Sequence, residues 1–353
     1  MQTREACVLC KGDLEPFTFM KNFPIKCCSD PNDPVLEWDM KLGYCKLCGS
    51  VNQMNLLDPS VLYGGKYPLD TTYSPSWNNH HQEFANFINS TLPDTPIIEI
   101  GSSSLVLAEK LVSKYTDYTV FDFSLETTRI LPNFKYIEGN CETYSFPSEM
   151  CIIMSHVFEH LYEPRNFIEN CKRGGVKHIV LSIPVMDDET RVSVTREHTF
   201  TYNCKDIEYL FSMCGYSVNK WHRFGVDHSI FYHFTISSEQ NDVFRVLNPN
   251  YWKSTELFFN QKFTVPPDTY LVGAGFWSQV TYHNIVNKDN IIGIIDNDIT
   301  KQGRVYYGTN FTIENFDTLK NAKNAIVLAN KYWTDEVTQH IKSINPDINI
   351  VSL

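Results

Sequence analysis

The 353-residue chain is 42% hydrophobic and 20% charged, with a formal charge of −11 at pH 7. Such a length suits two or three domains, and the composition is that of a folded globular protein. The acidic balance disfavours a general nucleic-acid binder, and no run approaches the ~18 apolar residues that span a bilayer, so neither nucleic acid nor a membrane is expected as a partner. At the N-terminus, MQTREACVLC has charges where a signal peptide needs an apolar core, so a cytosolic location is expected. Eleven cysteines, an odd number, fit metal ligands plus core thiols in a reducing compartment better than a disulfide framework.

The first elements are two knuckles, Cys7-Val-Leu-Cys10 and Cys45-Lys-Leu-Cys48. Two residues between thiolates let both sulfurs of a tight turn face one ion, and two such turns make the closed tetrahedral shell of structural zinc. The segment between them, 11–44, exceeds a common ribbon loop and implies an extended finger, in which Cys27 and Cys28 read as packing thiols. A saturated four-cysteine site has no open position, so it should supply folding energy and not chemistry. Residues 1–60 are assigned to this zinc-binding module. A connector rich in Tyr, Asn, Ser and Pro follows over 61–95, in which SWNNHHQEFANFI (76–88) has helical spacing of Trp77, Phe84 and Phe87 or Ile88.

Over 96–240 apolar strands alternate with amphipathic stretches. PIIEIG (96–101), YTVFDF (118–123), KYIEGN (135–140), MCIIMS (150–155) and VKHIVLSIP (176–184) read as strands. SLVLAEKLVSKY (104–115), EPRNFIENCKR (163–173) and CKDIEYLFSMCG (204–215) read as helices, the last ended by Gly215. This alternation predicts a mostly parallel sheet covered by helices on both faces, with a final antiparallel pair from VNKWHRFGVDHSIFYHFTIS. A smaller α/β unit restarts within 241–353: DTYLVGAG, a helix over 276–286, NIIGIIDND (290–298), NAIVLAN (324–330) and a helix over 333–344. The fold class is therefore α/β, with an N-terminal zinc module, a central Rossmann-like domain and a smaller Rossmann-like C-terminal domain.

Doubly wound sheets bind ligands beyond the carboxyl ends of their strands. Glu99-Ile100-Gly101 closes the first strand of the central domain, in a turn where backbone amides approach a ligand. Asp122 closes the second, about twenty residues on, where an acid accepts both ribose hydroxyls of an adenosyl group. Gly139-Asn140 closes the third, where an amide reads an adenine edge. In register, these features point to an adenosyl cofactor. The loop after Gly101 begins at Ser102 and runs Ser-Ser-Ser-Leu, without the glycines that a pyrophosphate needs, which counts against NAD and suits S-adenosylmethionine. HVFEH (156–160) matches an inverted zinc-peptidase pattern but follows a strand directly, so His156 is read either as tying down a turn or as lying beside the cofactor. GAG (273–275) is too short for a dinucleotide fingerprint and reads as a tight strand–helix turn.

In this order the parts resemble the three-domain sugar C-methyltransferases, which modify deoxysugars attached to a nucleoside diphosphate. The similarity runs over nearly the whole chain. Cys7, Cys10, Cys45 and Cys48 match the family's zinc module, EIGSSS its cofactor loop and HVFEHLYEP its motif after the fourth strand. Glu197-His198, in VTREHTFTY, matches an active-site acid–histidine pair, and DNDITKQGRVYYGT (296–309) matches the signature of the C-terminal domain. The resemblance implies S-adenosylmethionine in the central domain, at Glu99, Gly101, Ser102, Asp122, Asn140 and His156. It implies a nucleotide-sugar between the central and C-terminal domains, and a tyrosine near the sugar. Tyr67 is favoured for this over Tyr63 and Tyr73.

In the implied reaction a base removes the acidic proton beside a keto group, and the resulting carbanion takes the methyl group. His198 is the candidate base, since imidazole titrates near neutral pH, with Glu197 orienting it or touching the sugar. The sequence departs from the family at four places. Thr195 and Arg196 stand where Tyr-His usually precedes the pair, and Leu105 where a glycine is expected. Asn140 replaces an acid, and Trp277-Ser278 replace a Lys-Gly pair. These departures keep open an enzyme on the same scaffold that methylates oxygen or nitrogen, or a non-catalytic zinc-containing binding protein.

Overall fold

A computed structural model describes residues 2–32, 36–63, 75–102, 104–125, 130–132, 134–186, 194–225, 228–237, 252–328 and 331–351. Tyr67 and Tyr73 lie outside these residues. The chain forms two compact units, Met1–Glu15 with Gly43–Trp252, and Pro16–Leu42 with Lys253–Leu353. The first sixty residues are therefore divided. Both cysteine knuckles belong to the first unit, whereas most of the finger between them belongs to the second. Its strands β1 (Leu14–Pro24) and β2 (Glu37–Cys45) pair in a three-stranded sheet, which β3 (Val51–Gln53) completes.

In the first unit, helix α1 (Pro75–Thr91) precedes β4 (Ile97–Ile100), α2 (Val106–Leu111), β5 (Tyr118–Asp122), β6 (Lys135–Glu138) and β7 (Cys151–Ser155). Then follow α3 (Pro164–Gly174), β8 (His178–Pro184), α4 (Cys204–Met213), β9 (Tyr216–Phe224) and β10 (Ser229–Ile236). The seven strands lie in the order β9-β10-β8-β7-β4-β5-β6. Strands β4 to β8 are mutually parallel, and β10 runs antiparallel between β8 and β9, as the last pair was expected to do. Period-two alternation explains why both faces are covered. Ile98, Ile100, Phe121, Ile152 and Met154 enter one core, while Ile97, Val120, Cys151 and Ile153 enter the other.

Helix α1 buries Phe84, Phe87 and Ile88 in the second of these cores. Helix α2 is shorter at both ends than its apolar pattern predicts: Leu105 before it adopts φ 61°, outside the helical region, and the helix stops at Leu111 with Val112 as its C-cap. Helix α3 opens on Pro164 and closes on Gly175 at φ 80°, while α4 starts with a reciprocal capping box between Asn203 and Asp206. Cys7, Cys45 and Cys48 are buried in the same core as Phe158, Phe200 and Phe211. The cysteine knuckles are thus part of the central unit's packing.

The second unit holds α5 (Lys253–Asn260), which was not expected from the sequence, then β11 (Thr269–Val272), α6 (Phe276–Asn284), β12 (Ile291–Ile295), β13 (Ile313–Glu314), β14 (Asn324–Val327), α7 (Lys331–Ile344) and β15 (Asn349–Ile350). Its five-stranded sheet runs β13-β12-β11-β14-β15, all parallel. Cys27 and Cys28 pack against its core. Trp277 of α6 meets Phe258 of α5 edge-on at 4.7 Å, and the Ser278 hydroxyl donates to the Gly273 carbonyl, so the residues replacing Lys-Gly serve local packing.

Candidate cofactor and proton-transfer site

In the first unit, the strand order reverses at β4, which lies between β5 and β7. At such a switch point the loops leaving adjacent strands diverge and open a crevice. A cavity of about 420 Å³ lies there, within the size range of small-molecule pockets. Its lining includes Glu99, Gly101 and Ser102 from the end of β4, Asp122 from β5, Asn140 after β6 and His156 after β7. Glu197 and His198, some forty residues further along, line it too.

Gly101 sits at φ 73°, and a Cβ there would come within 2.5 Å of Val157, so no other residue fits this turn without rearrangement. Leu105, where the family resemblance led us to expect glycine, also takes a left-handed conformation with its side chain wholly buried. The backbone shape is kept at a cost of roughly 1–2 kcal/mol. Glu99 is buried and accepts a hydrogen bond from the Tyr118 hydroxyl at 2.5 Å. Burial pushes its carboxyl up to about 7, against the pull of the hydrogen bond from Tyr118. The Asn140 side chain accepts from the Glu142 amide at 2.9 Å and so shapes its own turn as well as facing the cavity.

HVFEH is not a helix carrying two aligned histidines. After β7 the chain turns sharply at His156, φ 53°, into a single 3₁₀ turn, Phe158–His160. That shape excludes the peptidase reading. Inside the turn Glu159 is fully buried, and neither carboxylate oxygen has a hydrogen-bond partner among the described residues. Its Oε1 lies 3.5 Å from His156 Nδ1 and 3.9 Å from His198 Nε2. Burial raises the Glu159 carboxyl above its ordinary range and lowers the His160 imidazole to about 4. Tyr63 stacks on the His160 ring at 6.1 Å, so of the three candidate tyrosines it is the one that can be placed, on the cavity wall.

The loop carrying Glu197 and His198 is held from a distance. The Thr195 hydroxyl accepts from both of their amides, at 3.2 and 3.1 Å. The buried Gln53 side chain donates towards the carbonyls of Thr195, Arg196 and His198 at 2.9–3.0 Å. Arg4 donates to the carbonyls of Thr199 and Tyr162. Backbone bonds from Gln53 N to Thr199 O and from Thr201 N to Val51 O attach the loop to β3. The His198 side chain is only 16% exposed. Arg196 is buried, with Nε 4.0 Å from Glu197 Oε1. Neither Gln53 nor Arg4 has any sequence signal for this role, because each acts on residues more than 140 positions away.

Beside β3, the sulfurs of Cys7 and Cys48 lie 3.6 Å apart, those of Cys10 and Cys45 3.3 Å, and those of Cys10 and Cys48 3.7 Å. A tetrahedron with Zn–S of about 2.3 Å has edges of roughly 3.8 Å, so the four cysteines fit a zinc ion. Each knuckle is followed by a left-handed residue, Lys11 at φ 63° and Gly49 at φ 75°. The Asn52 amide reaches Cys7 Sγ at 3.9 Å and accepts from Val8 N, which joins the cysteine cluster to the strand that holds the His198 loop.

No family model and no curated protein matches the chain. Among solved structures, similar folds include a complex of the Haloferax volcanii Trm112 methyltransferase activator with a putative methyltransferase, with a TM-score of 0.40, 10% identity and coverage of 49% of this chain and 100% of that one. A putative O-methyltransferase from Nostoc punctiforme gives 0.39 and 16%, over 46% of this chain and 57% of that one. The N-methyltransferase NodS from Bradyrhizobium japonicum, bound to S-adenosylhomocysteine, gives 0.39 and 14%, over 49% and 93%. At these scores the likeness settles neither cofactor nor substrate.

Proposed function

We propose that the chain is an S-adenosylmethionine-dependent methyltransferase, and that its reaction is C-methylation of a nucleotide-linked keto-deoxysugar. The observation that carries this reading is the convergence in one switch-point cavity of the Gly101 turn, Asp122 and the Glu197–His198 pair. When bound, the cofactor supplies a methyl group made electrophilic by its sulfonium. In this reading Asp122 accepts the ribose hydroxyls, and the left-handed turn at Gly101 lets backbone approach the ligand. Phe121, Phe123 and Val157 supply apolar walls that exclude water. His198 accepts the proton from the carbon beside the keto group. Glu159, buried 3.9 Å from His198 Nε2, compensates the imidazolium that forms.

A second reading, transfer to oxygen or nitrogen, is favoured by Thr195 and Arg196. They replace the phenol and imidazole of the resembled family, and Arg196 is turned inward. The two readings separate when keto-deoxysugar nucleotides are incubated with cofactor labelled at the methyl carbon and the products are read by NMR. Label bonded to a ring carbon, with loss of the proton that this carbon carried, is expected. Label on a heteroatom would replace the first reading by the second.

A further inference from the structure

Three imidazoles from distant parts of the first unit meet beside the cavity. His80 comes from α1, His156 from the turn after β7, and His228 from just before β10. Their ring centroids are separated by 5.1, 5.3 and 6.0 Å, and one ring nitrogen of each lies within 4.8 Å of the other two. Imidazoles bound tetrahedrally to one ion, with metal–nitrogen distances of about 2.0–2.1 Å, place their ring centres roughly 5 Å apart.

The surroundings are those of a ligand set. His156 Nε2 and His228 Nδ1 converge on the Ser229 hydroxyl, at 2.9 and 2.7 Å. On the far side of its ring, His156 Nδ1 faces the Glu159 carboxylate at 3.5 Å, without a hydrogen bond between them. His80 Nε2 pairs with the Ser182 hydroxyl at 2.8 Å, but its Nδ1, wholly buried, has no hydrogen-bond partner among the described residues. Buried polar atoms are normally satisfied, so this nitrogen calls for a partner.

We infer that His80, His156 and His228 form a second metal site, a tris-imidazole site for a divalent transition ion of the zinc class, separate from the four cysteines. Three nitrogen donors leave a fourth position, which Ser229 Oγ or a water completes. The ion would tie α1, which also carries the cavity residues Trp77 and His81, to the sheet. This inference stands whether or not the cavity takes a methyl donor.

Metal stoichiometry of the intact chain is the test. After zinc loading and removal of excess ion, elemental analysis should find two ions per wild-type chain and one in His228→Asn. Thermal unfolding would show that the variant is folded. Cobalt substitution separates the sites, since the cysteine site gives thiolate charge-transfer bands and the second equivalent adds only ligand-field bands. His228→Asn should weaken the second equivalent by at least about tenfold. His198→Ala, in the neighbouring Glu159–His160–His198 group, should still bind two ions. A folded wild-type chain holding a single ion, at the thiolates, would overturn the inference, and its failure to bind a second needs no variant to be seen. Loss of the second ion in His198→Ala but not in His228→Asn would overturn it equally.

Discussion

The two sheets make an instructive pair, because each follows its first strand with a glycine turn and ends its second with an aspartate. In the first unit, Gly101 and Asp122 border a cavity. In the second, the corresponding acid, Asp296, is engaged by its own chain. Its Oδ2 accepts from the Ala274 amide at 2.6 Å, Lys301 Nζ lies 3.1 Å from the same oxygen, and the Gln302 side chain donates to its carbonyl. The same pair of cues therefore borders a cavity in one sheet and a braced loop in the other. In the second unit the lysine of DNDITKQG holds the Asp296 carboxylate and the glutamine holds its backbone carbonyl.

The largest expected effect falls on one unit only. Structural zinc contributes about 10–16 kcal/mol in zinc-finger peptides, so Cys10→Ser or chelation should unfold much of the first unit. Hydrogen exchange should show lost protection over 195–201 and in β3, with β11 and β12 protected. Equal loss in both units would break the distinction. Next in size, His198→Ala should lower turnover by about 10²–10⁴-fold while leaving cofactor affinity within a factor of two or three. A parallel fall in affinity would mean that the imidazole holds the cofactor instead of moving a proton.

Glu99 gives a pH-dependent contrast. Its folded-state carboxyl, near 7, lies above the ordinary 4.5, so its contribution to stability is full below about pH 4.5 and is lost as pH rises through 7. Denaturation of wild type and Glu99→Gln at pH 5 and pH 8 should differ by on the order of 3 kcal/mol in pH response, with wild type losing more. A pH-independent difference would remove the buried-acid reading. The smallest effects test the comparison itself. Asp296→Ala should destabilise the second unit by about 1–3 kcal/mol, through the unpaired Ala274 amide, without touching cofactor binding. Asp122→Ala should do the reverse.

Much of the central sheet was legible in the sequence, because buried parallel strands are short apolar runs punctuated by Gly, Asp and Asn. The ends of β4, β5 and β6 fell within a residue or two of expectation, and with them the residues that line the cavity. Helix α2 was overextended because nothing in SLVLAEKLVSKY reveals that Leu105 is left-handed or that the helix stops at Leu111. Glu159 was visible inside HVFEH but received no role, since its importance comes from burial between two imidazoles. Gln53 and Arg4 could not be found from local pattern at all. The partition of the finger between two units was equally hidden, as it depends on contacts far apart in sequence.

Whether the cavity at Asp122 takes S-adenosylmethionine is decided by calorimetric titration of the zinc-replete chain with S-adenosylhomocysteine. Saturable one-to-one binding, weakened about 10–100-fold by Asp122→Ala and unchanged by Asp296→Ala, is the predicted result. Absence of binding by folded wild-type protein, or equal affinity in Asp122→Ala, would contradict it.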